Sequence, residues 1–340
     1  MIEFGSDFHF IETGGGREHN LHSFFPYAQY YADGRQAMIS LYKHQGWKRL
    51  WVPEYFCYEV VRNLVDNGLS IAFYPDYPGT DDTIAINEIK FDEGDVLLRM
   101  NFFGTRSFRT NKSIKVPVVE DHTHDLIGGW AIHSDADWCI ASLRKSLPVP
   151  EGGILWSPQG YRLPPKPFHS EENESVARRR WQAMKLKAKF ISVESIEKSV
   201  FRKEMIDTEL FFDSAPVSRI DNDTRDYLDS FNVLSWYIRK QLNRQELESI
   251  QAEHFKVLSL ENRECNAFSY TILCDSSSYR DYLRKTLIQN RIYPAILWDV
   301  PESTSPYVRD FSSRMISIHC DGRYSIEDIR QMKSIIESIL

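Results

Sequence analysis

Cysteines are few in this sequence, and their spacing argues against two kinds of site. The 340-residue chain has five cysteines, and no two of them stand at the short paired spacing of a zinc site or a disulfide framework. A reducing compartment, and hence a cytoplasmic location, is the simplest expectation. The five are Cys57, Cys139, Cys265, Cys274 and Cys320.

The sequence also lacks a long hydrophobic run and an excess of positive charge. No apolar stretch approaches the roughly 20 residues that cross a membrane, and the N-terminus lacks the basic-then-apolar layout of a signal peptide. With 41 basic and 48 acidic side chains the formal net charge is −7, which argues against a nucleic-acid partner. The glycines at 14–16 are not followed by Lys-Ser or Lys-Thr, so they do not form a Walker phosphate loop.

What the sequence does contain is an alternation of short apolar segments and helical runs. Hydrophobic residues make up 42% of the chain and charged residues 26%, as in ordinary globular proteins. Asp33 is a candidate N-cap for a helix that Gly46 ends, and an apolar segment then runs to Val52. Repeated alternation of this kind predicts βαβ units around a parallel sheet, and therefore an α/β protein.

The stretch 118–153 carries the most informative side chains. An apolar segment ends in an acid, Asp121, and a second apolar segment (138–141) is followed by Lys145. Because the carboxyl ends of parallel strands meet at one edge of a sheet, where ligands bind in such folds, we expect the aspartate and the lysine to face one site.

This stretch resembles the DegT/DnrJ/EryC1/StrS group of fold-type-I pyridoxal-phosphate (PLP) aminotransferases. In that group a strand ends in Glu-Asp with a Gln or His three positions later, which here are Glu120, Asp121 and His124. The group's lysine is followed six residues later by Glu-Gly-Gly, and here Lys145 is followed by 151–153. The resemblance implies that PLP is the cofactor.

The resemblance also implies an architecture. It implies a fold-type-I PLP-transferase with a mostly parallel, seven-stranded sheet in a large PLP-binding domain, residues 1–160, which includes an N-terminal arm. Residues 161–340 would form a long helix and a smaller C-terminal α/β domain. We expect the aromatic-rich arm (1–32) to be irregular and to pack either on its own domain or on a second subunit, because the family usually forms homodimers.

The chemistry of PLP explains the residue types. The cofactor needs an amine with which it forms a Schiff base, and a lysine in a partly dry site loses its proton near neutral pH. Lys145 is the candidate for that role, and Asp121 is the candidate partner of the pyridinium nitrogen. His124 would lie near the ring oxygen or the ring face. Outside this pattern, a lysine and an aspartate would be interpreted as solvated surface groups.

Two positions correspond to the family's phosphate-binding turn. Gly34 is retained at the start of the first helix, but Arg35 stands where a small hydroxyl residue is usual. Arginine could bind phosphate bidentately or could be a surface charge. The serine usually found five residues before the lysine is Ile140 here, and Ser142 could substitute for it.

Three further positions correspond to contacts with the cofactor ring. The residue that commonly stacks on the ring is Cys57 here, and Phe56 is beside it. Asn101, at the end of another apolar segment, could reach the ring oxygen or could bind local backbone. No metal is expected, because the pair His122 and His124 has no further ligands at a recognisable spacing.

The second half of the chain is predicted from local patterns. A Pro-rich segment (158–167) suggests a boundary, and a basic, polar helix follows over 174–198, whose arginines and lysines form a solvated face or an anion site. Residues 222–262 look helical, 266–275 alternate like a strand, and a final helix is expected to be capped near Ser325.

The predicted function is transamination. The chain would transfer an amino group from a small-molecule donor to a keto-sugar or nucleotide-linked keto-sugar, for surface polysaccharide or secondary metabolite synthesis. The family's Tyr/Phe-Asn-x-Arg-Met segment, which binds substrate and cofactor, is not found here, so the acceptor stays open. Two alternatives remain: another PLP-dependent reaction (lyase, dehydratase or racemase), or a non-catalytic binding protein on the same fold.

Overall fold

The computed structural model describes residues 3–14, 18–192 and 196–340. In chain order the strands are β1 (Phe4–Gly5), β2 (Gln29–Tyr31), β3 (Arg49–Pro53), β4 (Ile71–Tyr74), β5 (Asp95–Met100), β6 (Val118–Asp121), β7 (Trp138–Ser142), β8 (Gly153–Trp156), β9 (Phe255–Val257), β10 (Tyr270–Cys274), β11 (Ile292–Tyr293) and β12 (Met315–Ile318). The helices are α1 (Leu21–Phe24), α2 (Gly34–Gln45), α3 (Tyr58–Asp66), α4 (Asp82–Glu88), α5 (Gly129–His133), α6 (Leu143–Ser146), α7 (Glu171–Ser192), α8 (Lys198–Phe212), α9 (Asn222–Ser230), α10 (Val233–Leu247), α11 (Ser277–Gln289), α12 (Pro306–Arg314) and α13 (Ile326–Ile339).

A seven-stranded sheet organises the first half of the chain. Its strand order is β2-β8-β7-β6-β5-β3-β4, and β8 is antiparallel to both of its neighbours while the pairs from β7 to β4 are parallel. The predicted α/β architecture with a mostly parallel seven-stranded sheet is therefore confirmed. The proposed domain boundary at residue 160 stays a prediction.

The strands at the centre of the sheet are buried on both faces. All residues of β5, β6 and β8 are buried. In β7, Cys139 and Ala141 belong to one hydrophobic cluster, whereas Trp138 and Ile140 belong to another. Successive side chains of a strand point to opposite faces, so this alternation shows two cores, one on each side of the sheet, as expected for a parallel sheet covered by helices.

The first long helix begins and ends where its sequence predicts. The side chain of Asp33 accepts a hydrogen bond from the Arg35 backbone N–H, and Gly46 ends α2 in the left-handed conformation. Both are favoured residues at these positions, because aspartate satisfies a free N–H of the first turn and glycine has no Cβ to clash. The cap fixes the start of α2 at the carboxyl edge of the sheet.

The N-terminal segment packs on both halves of its own chain, because β1 pairs with β11 and β2 lies in the large sheet, and packing on a second subunit stays a prediction. The prediction of an irregular arm is wrong for β2, which pairs with β8 at the edge of the large sheet. Tyr31 is fully buried, and the ring of Phe25 lies 4.3 Å from that of Trp156. Tyr27, in contrast, is 89% exposed. Residues 1–2 and 15–17 of the arm lie outside the described residues, and they include Gly15 and Gly16 of the glycine triplet.

The second half contains a helix, α8, that the sequence patterns did not predict. Residues 193–195 lie outside the described residues, and the expected helix over 174–198 is wrong at 196–197, which are not helical. Up to Ser192 it appears as α7. It packs against α8 through contacts that include the rings of Phe190 and Phe201, 5.4 Å apart. The helical interpretation of 222–262 holds for α9 and α10 but is wrong at β9, which pairs with β10.

A smaller antiparallel sheet lies near the C-terminus. Its order is β12-β10-β9, and β1 pairs separately with β11 in parallel. The final helix, α13, begins with a capping box in which Ser325 and Asp328 each bond the other's backbone N–H, and this confirms the predicted cap. Within the described ranges, no helix is both long and apolar enough to cross a membrane.

Candidate active site

A cavity lies at the carboxyl edge of the parallel strands. Its volume is about 270 Å³, just below the roughly 300–1,000 Å³ typical of small-molecule sites. The fold brings most of the predicted cofactor residues to it. Those that line the cavity are Gly34, Arg35, Phe56, Cys57, Asp121, His124, Ser142 and Lys145.

Asn101 is the predicted residue that does not line this cavity. It follows β5 and is buried, and its Oδ1 accepts a hydrogen bond from the backbone N–H of Arg106. The Oδ1 of Asn101 thus makes the local backbone contact that was the alternative to cofactor contact, while Nδ2 has no partner among the described residues.

Lys145 projects into the cavity from the short helix that follows β7. Its side chain is exposed to the space of the cavity. The pKa of Lys145 is lowered, first by the positive charge of Arg144 and then by desolvation. A lysine with a lowered pKa supplies neutral amine at a lower pH than an ordinary lysine does.

Asp121 ends β6 and presents a carboxylate to the same cavity. Its Oδ1 accepts a hydrogen bond from the backbone N–H of Thr123 at 2.8 Å, and within the described ranges no side chain donates to its other oxygen. Burial raises the pKa of Asp121. A cation beside this carboxylate would offset that cost, because an opposite charge favours the ionised form.

His124 is held as a neutral ring. Burial is the main reason that its pKa falls to about 3. Its Nδ1 accepts a hydrogen bond from the backbone N–H of Phe103 at 3.0 Å, so the proton of the neutral imidazole is on Nε2. The ring is nearly parallel to those of Phe103 and Trp298, with interplanar angles of 8° and 18°.

Close packing fixes the start of α2 against the ends of β7 and β8. A Cβ on Gly34 would lie 3.0 Å from the Cβ of Ser142, and a Cβ on Gly153 would lie 2.4 Å from the carbonyl of Asp33. Gly152 has φ of +122°, a conformation that favours glycine. The two glycines of the Glu-Gly-Gly motif therefore let β8 approach the helix start.

A second cavity lies on another side of Lys145. It has a volume of about 300 Å³ and shares Lys145 and Arg144 with the first cavity. Its lining also includes Arg180, His319 and the N-terminal segment around Asp7. The amine of Lys145 is thus accessible from two spaces.

A separate cluster has metal-ligand residue types. Glu120, His122 and Cys139 place one potential ligand atom each within 4.8 Å of one another. The carboxylate already bonds the His122 ring at 3.0 Å and the hydroxyl of Ser134 at 2.6 Å. His124 does not join this cluster. The contacts describe a buried hydrogen-bond network.

Several residues at the first cavity were not predicted from the sequence. Two of them lie within the 118–153 stretch but at positions to which the motif assigns no role, and the other five come from segments far along the chain that no local pattern marked. These residues are Thr123, Arg144, Glu209, Leu210, Asp213, Phe268 and Trp298.

Comparisons with known proteins give the fold. No family model and no curated protein matches the chain. Among solved structures, Helicobacter pylori PseC, an aminotransferase involved in the biosynthesis of pseudoaminic acid, is 14% identical with a TM-score of 0.65, and the match covers 99% of each chain. Spr1654 from Streptococcus pneumoniae, in its PMP-form, is 13% identical with a TM-score of 0.64 over 99% of this chain and 98% of that one. A DegT DnrJ EryC1 StrS aminotransferase from Brucella abortus is 13% identical with a TM-score of 0.59, over 94% and 88%.

These likenesses run over nearly the whole chain. The protein therefore has the fold of the fold-type-I sugar aminotransferases, as the motif in residues 118–153 implied. At such low identity the comparison establishes the fold, and the activity has to be argued from the site itself.

Proposed function

We propose that this protein is a PLP-dependent aminotransferase that transfers an amino group to a keto-sugar or a nucleotide-linked keto-sugar. The observation that carries the proposal is the convergence of Lys145, Asp121 and His124 in one cavity, at the sheet edge where ligands bind in this class of fold.

The residues at the cavity suit PLP at three points. Lys145 offers an amine with a lowered pKa, Asp121 offers a carboxylate oxygen to a cation, and Arg144 offers a buried N–H. When bound, PLP supplies a carbonyl carbon for the amine and a ring that withdraws electrons from the reacting carbon.

Each of the three converging side chains then has a task. Lys145 Nζ would take up the proton that leaves the donor carbon and hold it for return. Asp121 holds the ring nitrogen in its protonated form. His124, with its proton on Nε2, donates a hydrogen bond and orients the ring.

The second cavity supports a role in substrate binding. Because it reaches Lys145 from another side, donor and acceptor could approach the amine while the cofactor stays in the first cavity. Fold-level likeness to sugar aminotransferases is the support for a keto-sugar acceptor.

A spectral titration tests the cofactor. Purified protein mixed with PLP should gain a visible absorbance band that Lys145→Ala abolishes, because the substitution removes the reacting amine. Lys285→Ala, which removes an exposed lysine on α11, should leave the band unchanged. A chain that takes up no PLP would favour the binding-protein alternative instead.

An assay of the reaction separates transamination from other PLP chemistry. Lysine and aspartate would also serve a lyase, dehydratase or racemase, so the products decide. We expect amino transfer from glutamate to at least one member of a keto-sugar panel. If no acceptor is aminated and an amino acid undergoes elimination instead, the transferase assignment is wrong and a lyase or dehydratase takes its place.

The assembly and location are proposals of the same kind. A homodimer is supported by the fold-level resemblance and by the exposed apolar side chains Ile206 and Leu210, four residues apart on α8. A cytoplasmic location is supported by the five cysteines, all of which are free.

A further inference from the structure

Two buried arginines flank the start of α2 at the first cavity. Arg35 lies in the first turn of that helix and Arg144 follows β7, immediately before Lys145. Their side chains are 8% and 9% exposed. The N-terminus of a helix attracts anions through its free N–H groups and its dipole, and two guanidinium groups strengthen that attraction.

Three carboxylates neutralise these arginines. Asp33 lies 3.4 Å from Arg35 Nε, and Asp213 lies 2.9 Å from Arg35 Nη1. Glu209 accepts two hydrogen bonds from Arg144, at 2.7 and 3.0 Å. The protein's own carboxylates therefore pair with guanidinium groups at a helix N-terminus, a position that favours a bound anion.

The three carboxylates differ in how firmly they are held. Asp33 is buried and caps α2, with its side chain 4% exposed. Glu209 and Asp213 lie at the end of α8, with side chains 42% and 56% exposed. The two α8 side chains can rotate into water without unfolding a core, whereas Asp33 cannot.

Arg144 also has spare hydrogen-bonding capacity. Its Nε is buried and has no hydrogen-bond acceptor among the residues that the structure describes. The nearest charged oxygen, Asp33 Oδ2, is 3.6 Å away, which is too far for a hydrogen bond. A buried donor without a partner is costly, so an additional acceptor at this point would be stabilising.

We propose that Arg35 and Arg144 bind the phosphate group of PLP and that Glu209 and Asp213 are the anions that it replaces. This inference rests on the proposed function. Glu209 also accepts a hydrogen bond from Arg180 at 3.2 Å, so with both α8 carboxylates present three arginines face three anions. When the two have turned to water, the cations outnumber the remaining anion, and the site suits a phosphate that carries three acceptor oxygens.

The arginines become free when phosphate replaces the α8 carboxylates, and not when those carboxylates are protonated. Burial raises the pKa of Glu209, but the positive charges of Arg144, Lys145 and Arg180 outweigh burial and lower this pKa to about 2. Glu209 is therefore ionised at any pH at which the protein would work. A phosphate must compete with this carboxylate, which makes Glu209 a determinant of cofactor affinity.

The test compares PLP with pyridoxal, which has the same aldehyde and no phosphate. Each is titrated into the full chain, and the visible absorbance that follows reaction with Lys145 gives a dissociation constant. The ratio of the two constants isolates the phosphate contribution, because any effect of a substitution on the Lys145 amine acts on both aldehydes alike.

Substitutions at the arginine–carboxylate contacts should change this ratio in opposite directions. Glu209→Gln removes the competing charge, so the ratio should shift about tenfold in favour of PLP, and Asp213→Asn should shift it in the same direction. Arg144→Met should weaken PLP relative to pyridoxal by about tenfold or more. Inorganic phosphate should compete with PLP and leave pyridoxal binding unchanged.

Glu204→Gln is the matched control. It removes the same charge from the same helix, but Glu204 pairs with Arg179 at the surface, so the ratio should not change. Equal ratios for Glu209→Gln and Glu204→Gln, with a visible band still formed by both aldehydes, would overturn this inference and leave the proposed function intact. If neither aldehyde reacts with Lys145 in any variant, the proposed function itself fails.

Discussion

At the scale of single residues, the charges around Lys145 set the pH at which its amine becomes reactive. Arg144 is adjacent in sequence and is the largest cause of the lowered pKa, ahead of desolvation. The negative charge of Glu209 raises the pKa of Lys145, but Glu209 is itself paired with Arg144. The reactivity of the lysine is therefore a property of this group of charges.

Replacing Arg144 should make Lys145 harder to deprotonate. In Arg144→Met the amine loses its nearest positive neighbour, so its pKa rises and the neutral form appears only at higher pH. The measurement is the pH dependence of the reaction with pyridoxal, whose midpoint should shift upward. Arg178→Met, at an exposed arginine of α7, is the control, and an unchanged or lower midpoint in Arg144→Met would contradict the assignment.

A second residue-scale prediction concerns Glu151, the acid of the Glu-Gly-Gly motif. It is fully buried, and burial raises its pKa to about 8 although it accepts hydrogen bonds from the Asp221 N–H and from Asn173. Between the unfolded pKa of 4.5 and about 8 the folded state holds a proton that the unfolded state has lost. Stability should therefore fall as pH rises through this window, by at most about 1.4 kcal/mol per pH unit.

Glu151→Gln removes this titration and nearly preserves the shape of the side chain. Asn173 has an unpartnered Oδ1 within the described ranges, which can accept from the new amide. The thermal unfolding midpoint of the variant should fall less than that of the parent between pH 5 and pH 8. Glu172→Gln, at an exposed position, should follow the parent, and a constant difference between Glu151→Gln and the parent would contradict the prediction.

At the scale of elements, a buried ion pair joins α4 to the sheet. Arg99, on β5, donates to both oxygens of Asp82 at 2.9 and 3.0 Å, and both side chains are fully buried. Asn111 accepts a further bond from the same guanidinium at 2.7 Å. Removing one charge would leave the other in a low-dielectric environment without its partner.

Asp82→Asn should therefore be strongly destabilising. We expect a loss of about 3–5 kcal/mol in the free energy of unfolding, measured by denaturant titration. Asp81→Asn is a matched control, because Asp81 is the exposed N-cap of α4 and asparagine caps helices equally well. Similar losses in the two variants would show that the buried pair is not the cause.

At the scale of the whole molecule, α8 links the site to the protein surface. Its buried face packs in the same core as Trp181 and Met184 of α7, its end supplies Glu209 to the cavity, and Ile206 is 57% exposed. Leu210, four residues further along α8, lines the cavity and is 66% exposed, and a contiguous apolar patch on a surface marks an interaction site.

If α8 lies in a homodimer interface, a charge on it should weaken assembly. Light scattering over a concentration series should show a dimer for the parent and about tenfold weaker association for Ile206→Asp, because the interface would then bury an unpaired charge. Ile84→Asp, on α4 and 66% exposed in the parent, controls for the loss of surface hydrophobicity. A parent that is monomeric at all concentrations would exclude the dimer.

Much of the fold follows from interactions between near neighbours in the sequence. Asp33 caps α2 because its carboxylate reaches the Arg35 N–H two residues away, and Ser325 and Asp328 form their capping box over three residues. The alternation of strands and helices also indicated a parallel sheet. A sheet of this kind brings strand ends to one edge, so Asp121 and Lys145 could be placed near one site from the sequence alone.

The rest of the site was decided by tertiary structure. The carboxylates on Arg35 and Arg144 come from α8, far along the chain, and Trp298 reaches His124 from still further. No spacing rule predicts which distant side chain fills a cavity, because that depends on how the helices and sheets pack. The sequence by itself thus determined the helix caps, the alternation of strands and helices along the chain, and the amine–carboxylate pair, each of which is fixed by local geometry or by sheet topology. Only the packed molecule decided which anions the arginines hold, since that pairing depends on where α8 lies.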